Sequence, residues 1–449
     1  MILEQGEFYG KLLRDCHPFN ARGNQARISI TQRTRRRQVE VFAIKSVASL
    51  TPTVLAKRLP LPMNEVSPAV VTQQQLAKGI RKSAFALRGF DVKNLGRTPE
   101  LLFHPKYGPI MEKHLRLGSE ICADTMKTPV DLVKRVSDGQ EPTLDEYHES
   151  IALIVAAELA QLEMLETFFD ISITKADMIY GFSLGELAAL TACGTLTTED
   201  ALKTPLAMSR DAAELAHDTT LCILFSRSDK MIPRDKVKRL CAEINAEGRG
   251  VIGVSAYLTP NSMLLIGQGD TVKRLRERKD SLTTERISLH LNDEKWPPLH
   301  TPIVWQRNIT NRSQVMMHTF TGGFHAPSTP LFSLVTGAFS YNDHNVREIL
   351  GDWIDKPQLV WEAIDTTLLR GVETVIHVGP HPNIFPATFG RLATNVSLVT
   401  KDSFSAKTLS RIVQYGWLWS ILPKRASLLR APKLVHVILE DWLLAQAIP

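Results

Sequence analysis

Apolar and polar positions alternate with two different periods along the chain, and the change between them marks its organisation. Up to about residue 80 the pattern is irregular; from Ser83 onward apolar runs alternate with helical patterns, which places a domain boundary near residue 80. Pro142 to Phe169 has few breakers and carries Ile151, Ile154, Val155, Leu159, Leu162 and Leu165 at helical spacing, so it predicts a long, largely buried helix. Ala176 to Gly181 reads as a short buried strand and is followed by a second helical pattern. Ser183 therefore falls where a strand turns into a helix.

From Thr219 to Asn292 the texture differs. Thr220 to Phe225 is strand-like, Arg234 to Glu247 helical, and Gly250 to Leu258 and Ser262 to Gly267 strand-like around a Thr-Pro-Asn turn. Thr271 to Lys279 is helical and Arg286 to Leu291 strand-like again. The order βαββαβ is that of a ferredoxin-like unit, of the right length for a small domain inserted in a larger one. Periodic α/β patterning resumes after Pro297, with a strand-like run at Thr374 to Val378, so the flanking segments are expected to share one sheet. Two apolar patches near the end, Leu409 to Leu422 and Leu434 to Leu444, read as helices with Trp417, Trp419 and Trp442 as packing anchors.

Gly181-Phe182-Ser183-Leu184-Gly185 fits G-x-S-x-G, the nucleophile elbow, in which a tight strand-to-helix turn lifts the serine hydroxyl and glycines on both sides let the backbone pass. The following helix aims its first N–H groups and its positive dipole end at the place where a tetrahedral oxyanion would form. The pentapeptide alone is weakly specific; its position between strand and helix makes Ser183 a candidate nucleophile.

Gly-Phe-Ser-Leu-Gly-Glu-Leu-Ala-Ala-Leu at 181–190, followed by Ala-Cys-Gly-Thr-Leu-Thr-Thr-Glu-Asp-Ala at 192–201, resembles the elbow of malonyl-CoA:acyl carrier protein transacylases and polyketide synthase acyltransferase domains. The resemblance spans roughly residues 83–400. It implies an α/β fold, with an α/β-hydrolase-like large domain carrying an inserted ferredoxin-like one, in agreement with the insertion read from the pattern. The expected division is an extension over 1–79, the large domain over 80–218 and 293–403, the small domain over 219–292, and a helical extension over 404–449.

The resemblance also implies a histidine that activates the serine. His325, in Gly323-Phe-His-Ala-Pro327, has the more familiar letters, and His300, in Pro298-Leu-His-Thr-Pro302, the less familiar ones. Pro330 to Gly337 resembles the family's strand that follows this histidine after a helix and a connection. His300 lies 30 residues before Pro330 and His325 only 5, too few for a helix, so spacing selects His300. His377 and His381, beside Gly379-Pro380, read as a strand residue and a loop residue. A histidine near its unperturbed pKa accepts the serine proton and returns it to a thiol, serving both halves of a transfer.

The sequence departs from the family around the serine. Phe182 stands where a histidine is usual, and Phe90, in Gly89-Phe-Asp-Val-Lys93, replaces a glutamine that helps shape the oxyanion site. Twenty-five positions after Ser183, where the family has an arginine for the malonyl carboxylate, stands Met208, with Arg210 the nearest guanidinium. A missing ion pair to a carboxylate in a semi-enclosed pocket costs several kcal/mol. Either Arg210 reaches in, or the acyl group is not dicarboxylic. Phe90, Phe182, Leu184, Met208 and Arg210 are the candidate substrate-binding residues beside the catalytic candidates Ser183 and His300.

Composition and charge narrow the classes. The 449 residues are 44% hydrophobic and 22% charged, a folded-protein profile. The formal charge of +6 resides at the front: residues 1–60 hold 11 Lys+Arg against 4 Asp+Glu, including Arg33, Arg35, Arg36 and Arg37, and the remainder is close to neutral. A presequence-like tail, a nucleic-acid arm or a misassigned start would each give such a front, and the absence of a basic stripe on the body argues against a nucleic-acid partner. The longest apolar stretch, Ile151 to Leu162, is interrupted by Glu158 and too short to cross a membrane. Five scattered cysteines form no C-x-x-C pair, and a reducing cytoplasm fits best. No metal or redox cofactor is expected, since neither a ligand cluster nor G-x-G-x-x-G occurs.

The reading preferred from sequence is an acyltransferase moving a malonyl or other acyl group from coenzyme A to the phosphopantetheine thiol of an acyl carrier protein, in fatty acid or polyketide synthesis. A thioester hydrolase using the same pair, and a non-catalytic member that docks carriers or synthases, are the alternatives.

Overall fold

Eight strands, gathered into two sheets, organise the computed structural model, which describes residues 71–226, 231–283, 286–401 and 426–448. The basic front, Cys16, the Leu409 to Leu422 patch, Trp417 and Trp419 lie outside the described residues. The strands are β1 (Ser83–Leu87), β2 (Met178–Gly181), β3 (Thr219–Ser226), β4 (Ile252–Thr259), β5 (Ser262–Gln268), β6 (Ile287–Asn292), β7 (Thr374–Val378) and β8 (Val435–Ile438).

The first sheet runs β2-β1-β7-β8 and is parallel throughout. Its strands are mostly apolar, with Ser83, His377 and His436 buried among them, because packed layers cover both faces. Phe85, Leu87, Ile179, Ile376 and Val378 pack into one core with the Tyr147–Phe169 helix, while Ala84, Ala86, Met178, Tyr180 and Val375 pack into another on the opposite face. That division follows from the two-residue period of a strand. The Tyr147–Phe169 helix is apolar nearly all round and accordingly sunk between neighbours. Among the described residues no helix is long and apolar enough to cross a membrane.

The second sheet, β4-β5-β3-β6, is antiparallel and built wholly from residues 219–292. The Arg234–Ala246 and Thr271–Arg278 helices pack Val237, Leu240, Ile244, Val272 and Leu275 against it. Its strand β4 also meets the residues before the Val360–Leu369 helix: Tyr257 N–H donates to the Gln358 carbonyl at 2.9 Å, and Gln358 N–H to the Ser255 carbonyl at 2.8 Å.

Two expectations change. Leu434 to Leu444 is not one helix: Val435–Ile438 pairs with β7 and extends the first sheet, and the helix begins only at Leu439. Buried His436 and Val437 between half-buried Val435 and Ile438 run on into the helical pattern, and the pairing with β7 decides for a strand. The Pro330 to Gly337 segment is not a full strand. It makes an isolated parallel bridge, Ile179 with Leu331, beside β2, and then folds back so that Ser333 bridges Ala338. Trp442 is buried as an anchor, donating Nε1–H to the Val71 carbonyl at 2.7 Å and meeting Phe169 edge-on.

Candidate active site

β1, β2 and β7 end side by side, and the turns that leave them converge; carboxyl ends of parallel strands are where open α/β sheets hold their ligands. β2 ends at Gly181 and the Leu184–Ala192 helix starts three residues later. A turn that sharp forces Ser183 to φ 55° and ψ −116°, a conformation that side-chain-bearing residues seldom hold. The flanking glycines are steric necessities: a Cβ on Gly181 would lie 2.0 Å from the Gly185 carbonyl carbon, and one on Gly185 2.4 Å from the Arg88 carbonyl oxygen.

His300 arrives on the loop that leaves β6, anchored by Thr301, whose hydroxyl accepts from Ile303 N–H at the start of the Pro302–Arg307 turn. His300 N–H donates to the Ile354 carbonyl at 2.8 Å. Its imidazole places Nε2 2.8 Å from Ser183 Oγ and Nδ1 2.7 Å from the Trp353 carbonyl oxygen. A carbonyl only accepts, so Nδ1 carries the proton and Nε2 presents its lone pair to the serine hydroxyl, which donates. Gln358 Nε2 also approaches Nδ1, at 3.3 Å, but two donors cannot bond, and the shorter contact to Trp353 fixes the tautomer. Burial pushes the imidazole pKa down to about 4, with the Trp353 carbonyl partly opposing it. The ring is therefore neutral, the form that accepts a proton.

The elbow is braced from both sides. Trp353 Nε1–H donates to the Ser183 carbonyl at 3.0 Å, and Gln358 Oε1 accepts from Ser183 N–H at 3.3 Å. The Trp353 ring stands edge-on to the His300 ring at 5.2 Å. Ser183 and His300 are 7% and 3% exposed, so the dyad is largely shielded from water. The N–H groups of Leu184, first in the helix, and of Phe90 find no acceptor among the described residues. Below the elbow, Glu186 is buried, and burial raises its carboxyl to about 7 while it accepts from Tyr341 Oη–H at 2.9 Å.

The structure brings Ser183, His300, Phe182 and Leu184 together, with the Phe182 and His300 rings 6.4 Å apart. Phe90 follows Gly89, whose added Cβ would meet Ser183 Cβ at 3.1 Å, and its ring packs edge-on between Tyr147 and Trp296. Met208 and Arg210 do not join this group. Met208 is buried in the core of the Thr198–Ala216 helix, and Arg210, on the same helix, is exposed, with its charge acting on His148. His325 is exposed. His377 is buried in β7, its Nε2 2.9 Å from His436 Nδ1 of β8, and His381 is an exposed loop residue at φ 49°. Sequence reasoning missed Trp353 and Gln358, because their contacts with the dyad exist only once distant segments meet.

No family model matches the chain. A malonyl CoA-acyl carrier protein transacylase of Bacillus subtilis is 24% identical over 211 residues, 46% of this chain and 48% of that protein. The polyketide synthase GfsA of Streptomyces halstedii is 23% identical over 271 residues, 59% of this chain and 3% of that protein. The chain thus spans about half of the first of these relatives and a small part of the second. Among solved structures, FabD from Acinetobacter baumannii matches with a TM-score of 0.54 at 14% identity, covering 76% of this chain and 99% of that one. The acyltransferase domain from module 8 of the salinomycin polyketide synthase matches with a TM-score of 0.55 at 17% identity, covering 76% and 75%. These likenesses, at low identity, show a shared mixed α/β fold with a parallel sheet.

Proposed function

We propose that this chain is an acyltransferase in which Ser183 takes an acyl group from coenzyme A and passes it to the phosphopantetheine thiol of an acyl carrier protein, in fatty acid or polyketide synthesis. The observation that carries the reading is the 2.8 Å contact of His300 Nε2 with Ser183 Oγ, on a serine held in a strained elbow by Trp353 and Gln358. Strain of this kind persists where surrounding structure imposes it, which favours chemistry over passive docking. The names of the relatives, a malonyl CoA-acyl carrier protein transacylase and a polyketide synthase, support the same substrates.

In the first half-reaction Oγ attacks the thioester carbon while Nε2 takes its proton, and the oxygen of the tetrahedral intermediate is met by the N–H groups of Leu184 and Phe90. Collapse breaks the C–S bond, and His300 returns the proton to the departing thiolate. In the second half the carrier thiol gives its proton to Nε2, its sulfur attacks the ester, and His300 reprotonates Oγ. Phe182, Phe90 and Leu184 form the wall of the acyl site. Met208, buried in the packing of the Thr198–Ala216 helix, takes no part in it, and Arg210 meets an anionic acyl group only if its side chain swings in from the surface.

The division into an α/β-hydrolase-like large domain over 80–218 and 293–403, with a ferredoxin-like insertion over 219–292, is part of this proposal. Its support is the βαββαβ order of the second sheet and the elbow at the carboxyl edge of the first. β8 and the Leu439–Ala445 helix belong with the large domain, not with a separate extension. The cytoplasm is the compartment that suits the reaction.

Incubation with an acyl-CoA panel, with and without carrier protein, separates transfer from hydrolysis. Acyl-carrier formed faster than free acid, and lost in Ser183→Ala, is the expected result. Free acid alone would assign hydrolysis instead.

A further inference from the structure

Glu158 is the one ionisable residue in the apolar stretch Ile151 to Leu162, and the proton transfers above make no use of it. It is fully buried, and its Oε1 accepts the Arg88 amide N–H at 2.8 Å. One turn further along the same helix, Gln161 Oε1 accepts Gly379 N–H at 2.8 Å. Arg88 stands one residue beyond β1 and Gly379 one residue beyond β7, on strands paired in register as Leu87 with Val378. Gly379, at φ 102°, has no room for a side chain: a Cβ there would lie 2.6 Å from Arg88 Cγ and 2.9 Å from Glu158 Cγ.

The Arg88 side chain, 3% exposed, ties the two turns together. Its Nε donates to the Gly89 carbonyl at 2.7 Å, Nη1 to the carbonyls of Lys93, at 3.1 Å, and Pro380, and Nη2 to Asn94 Oδ1 at 2.8 Å. A planar fork with five donors does this; a lysine ammonium does not. Burying a guanidinium is costly, and an apolar side chain of similar volume would fill the space with less desolvation. What the guanidinium adds is the set of oxygens it holds in place.

One of the turns it holds lies against the nucleophile. An added Cβ on Gly89 would meet the Phe182 carbonyl oxygen at 2.6 Å, so the Gly89–Phe90 backbone is pressed on the elbow. Phe90 is pinned between Tyr147, at the start of the Glu158 helix, and Trp296, on the loop that brings His300.

We propose that Arg88 is a positioning residue for acyl transfer: its guanidinium ties the turns after β1 and β7 to each other, while Glu158 and Gln161 hold the same turns to the buried helix through backbone N–H groups, and the Phe90 N–H is thereby fixed where the oxyanion forms. This rests on the acyltransferase reading. Arg88→Met is expected to lower kcat for Ser183 acylation about 100-fold with KM within about three-fold, since losing one oxyanion donor costs on that order. Hydrogen exchange followed by mass spectrometry should rise together in residues 88–95 and 378–383. Should Arg88→Met not fold, Arg88→Lys keeps the charge, loses the fork and carries the same expectation. An unchanged kcat, a loss confined to KM, or faster exchange in only one of the two turns overturns the proposal. A wild-type protein that no thioester acylates sinks the acyltransferase reading, and joint exchange in both turns would then leave Arg88 a structural tie only.

Discussion

At the scale of single residues, the proposed dyad depends on one carbonyl that fixes which imidazole nitrogen is free. The Trp353 carbonyl accepts a hydrogen bond from Nδ1–H, and Ser183 faces the lone pair on Nε2. Burial holds His300 near a pKa of about 4, which sets the pH response. Only the neutral ring accepts the serine proton, so kcat/KM for acylation should rise with pH through about 4 and stay flat through 6.5, where an ordinary histidine would still be titrating. The same shift bears on stability. The unfolded chain binds a proton at this ring below about 6.5 while the folded one refuses it until about 4, so the stabilisation is complete above 6.5 and is lost as pH falls toward 4. A pre-steady-state profile of acylation from pH 4 to 8 checks the first statement. An inflection near 6.5 would mean that the base is solvated in the working enzyme. That Ser183 and His300 meet was legible in the sequence, one residue from the elbow letters and the other from spacing. Trp353 and Gln358 were not, because a tryptophan in a helix and a glutamine in a loop carry no mark of the hydrogen bonds they make across the fold.

At the scale of elements, the strand-turn-helix around Ser183 is the most tightly specified part of the chain. Gly185→Ala places a methyl 2.4 Å from the Arg88 carbonyl oxygen and 2.6 Å from that of Leu87, both backbone atoms that cannot move aside. Overpacking against rigid backbone should cost about 3 kcal/mol. Denaturant titration of this variant should show a clearly lowered midpoint, and a wild-type midpoint would contradict the described elbow. The four strands of the second sheet and its two helices were readable to within two residues at either end because each is a short apolar-rich strand or an amphipathic helix bounded by turn residues. β8 was not: Val435–Ile438 is four residues long and runs straight into a helical pattern, so local periodicity alone favours the helix. The Pro330 to Gly337 segment misled for the opposite reason, since its family-like letters form bridges and a turn instead of a strand.

At the scale of the whole molecule, the end of the chain returns to brace the site. β8 completes the first sheet, and the Leu439–Ala445 helix sends Glu440 to accept Arg97 N–H and His381 N–H, each at 2.8 Å, joining the turns after β1 and β7 a second time. Burial raises the Glu440 carboxyl to about 7. The folded state keeps this proton while the unfolded chain releases it above about 4.5, so this group makes stability decline as pH rises from 4.5 through 7. Glu440→Gln should remove that slope. It should also lower stability by about 1 kcal/mol, because an amide has one acceptor oxygen for two part-buried N–H groups. Denaturation midpoints of both proteins at pH 5 and pH 8 decide it, and equal slopes would show that Glu440 does not titrate there. The basic front remains legible only as composition.

The central claim is that Ser183, with His300 as its base, carries an acyl group covalently. Intact-mass spectrometry after brief exposure to acyl-CoA tests it most directly: wild-type protein should gain one acyl mass, mapped to the peptide containing Ser183, Ser183→Ala should gain none, and His300→Ala should load about 100-fold or more slowly. Wild-type protein that stays at its original mass with every thioester offered, or an adduct of equal yield in Ser183→Ala, would contradict it.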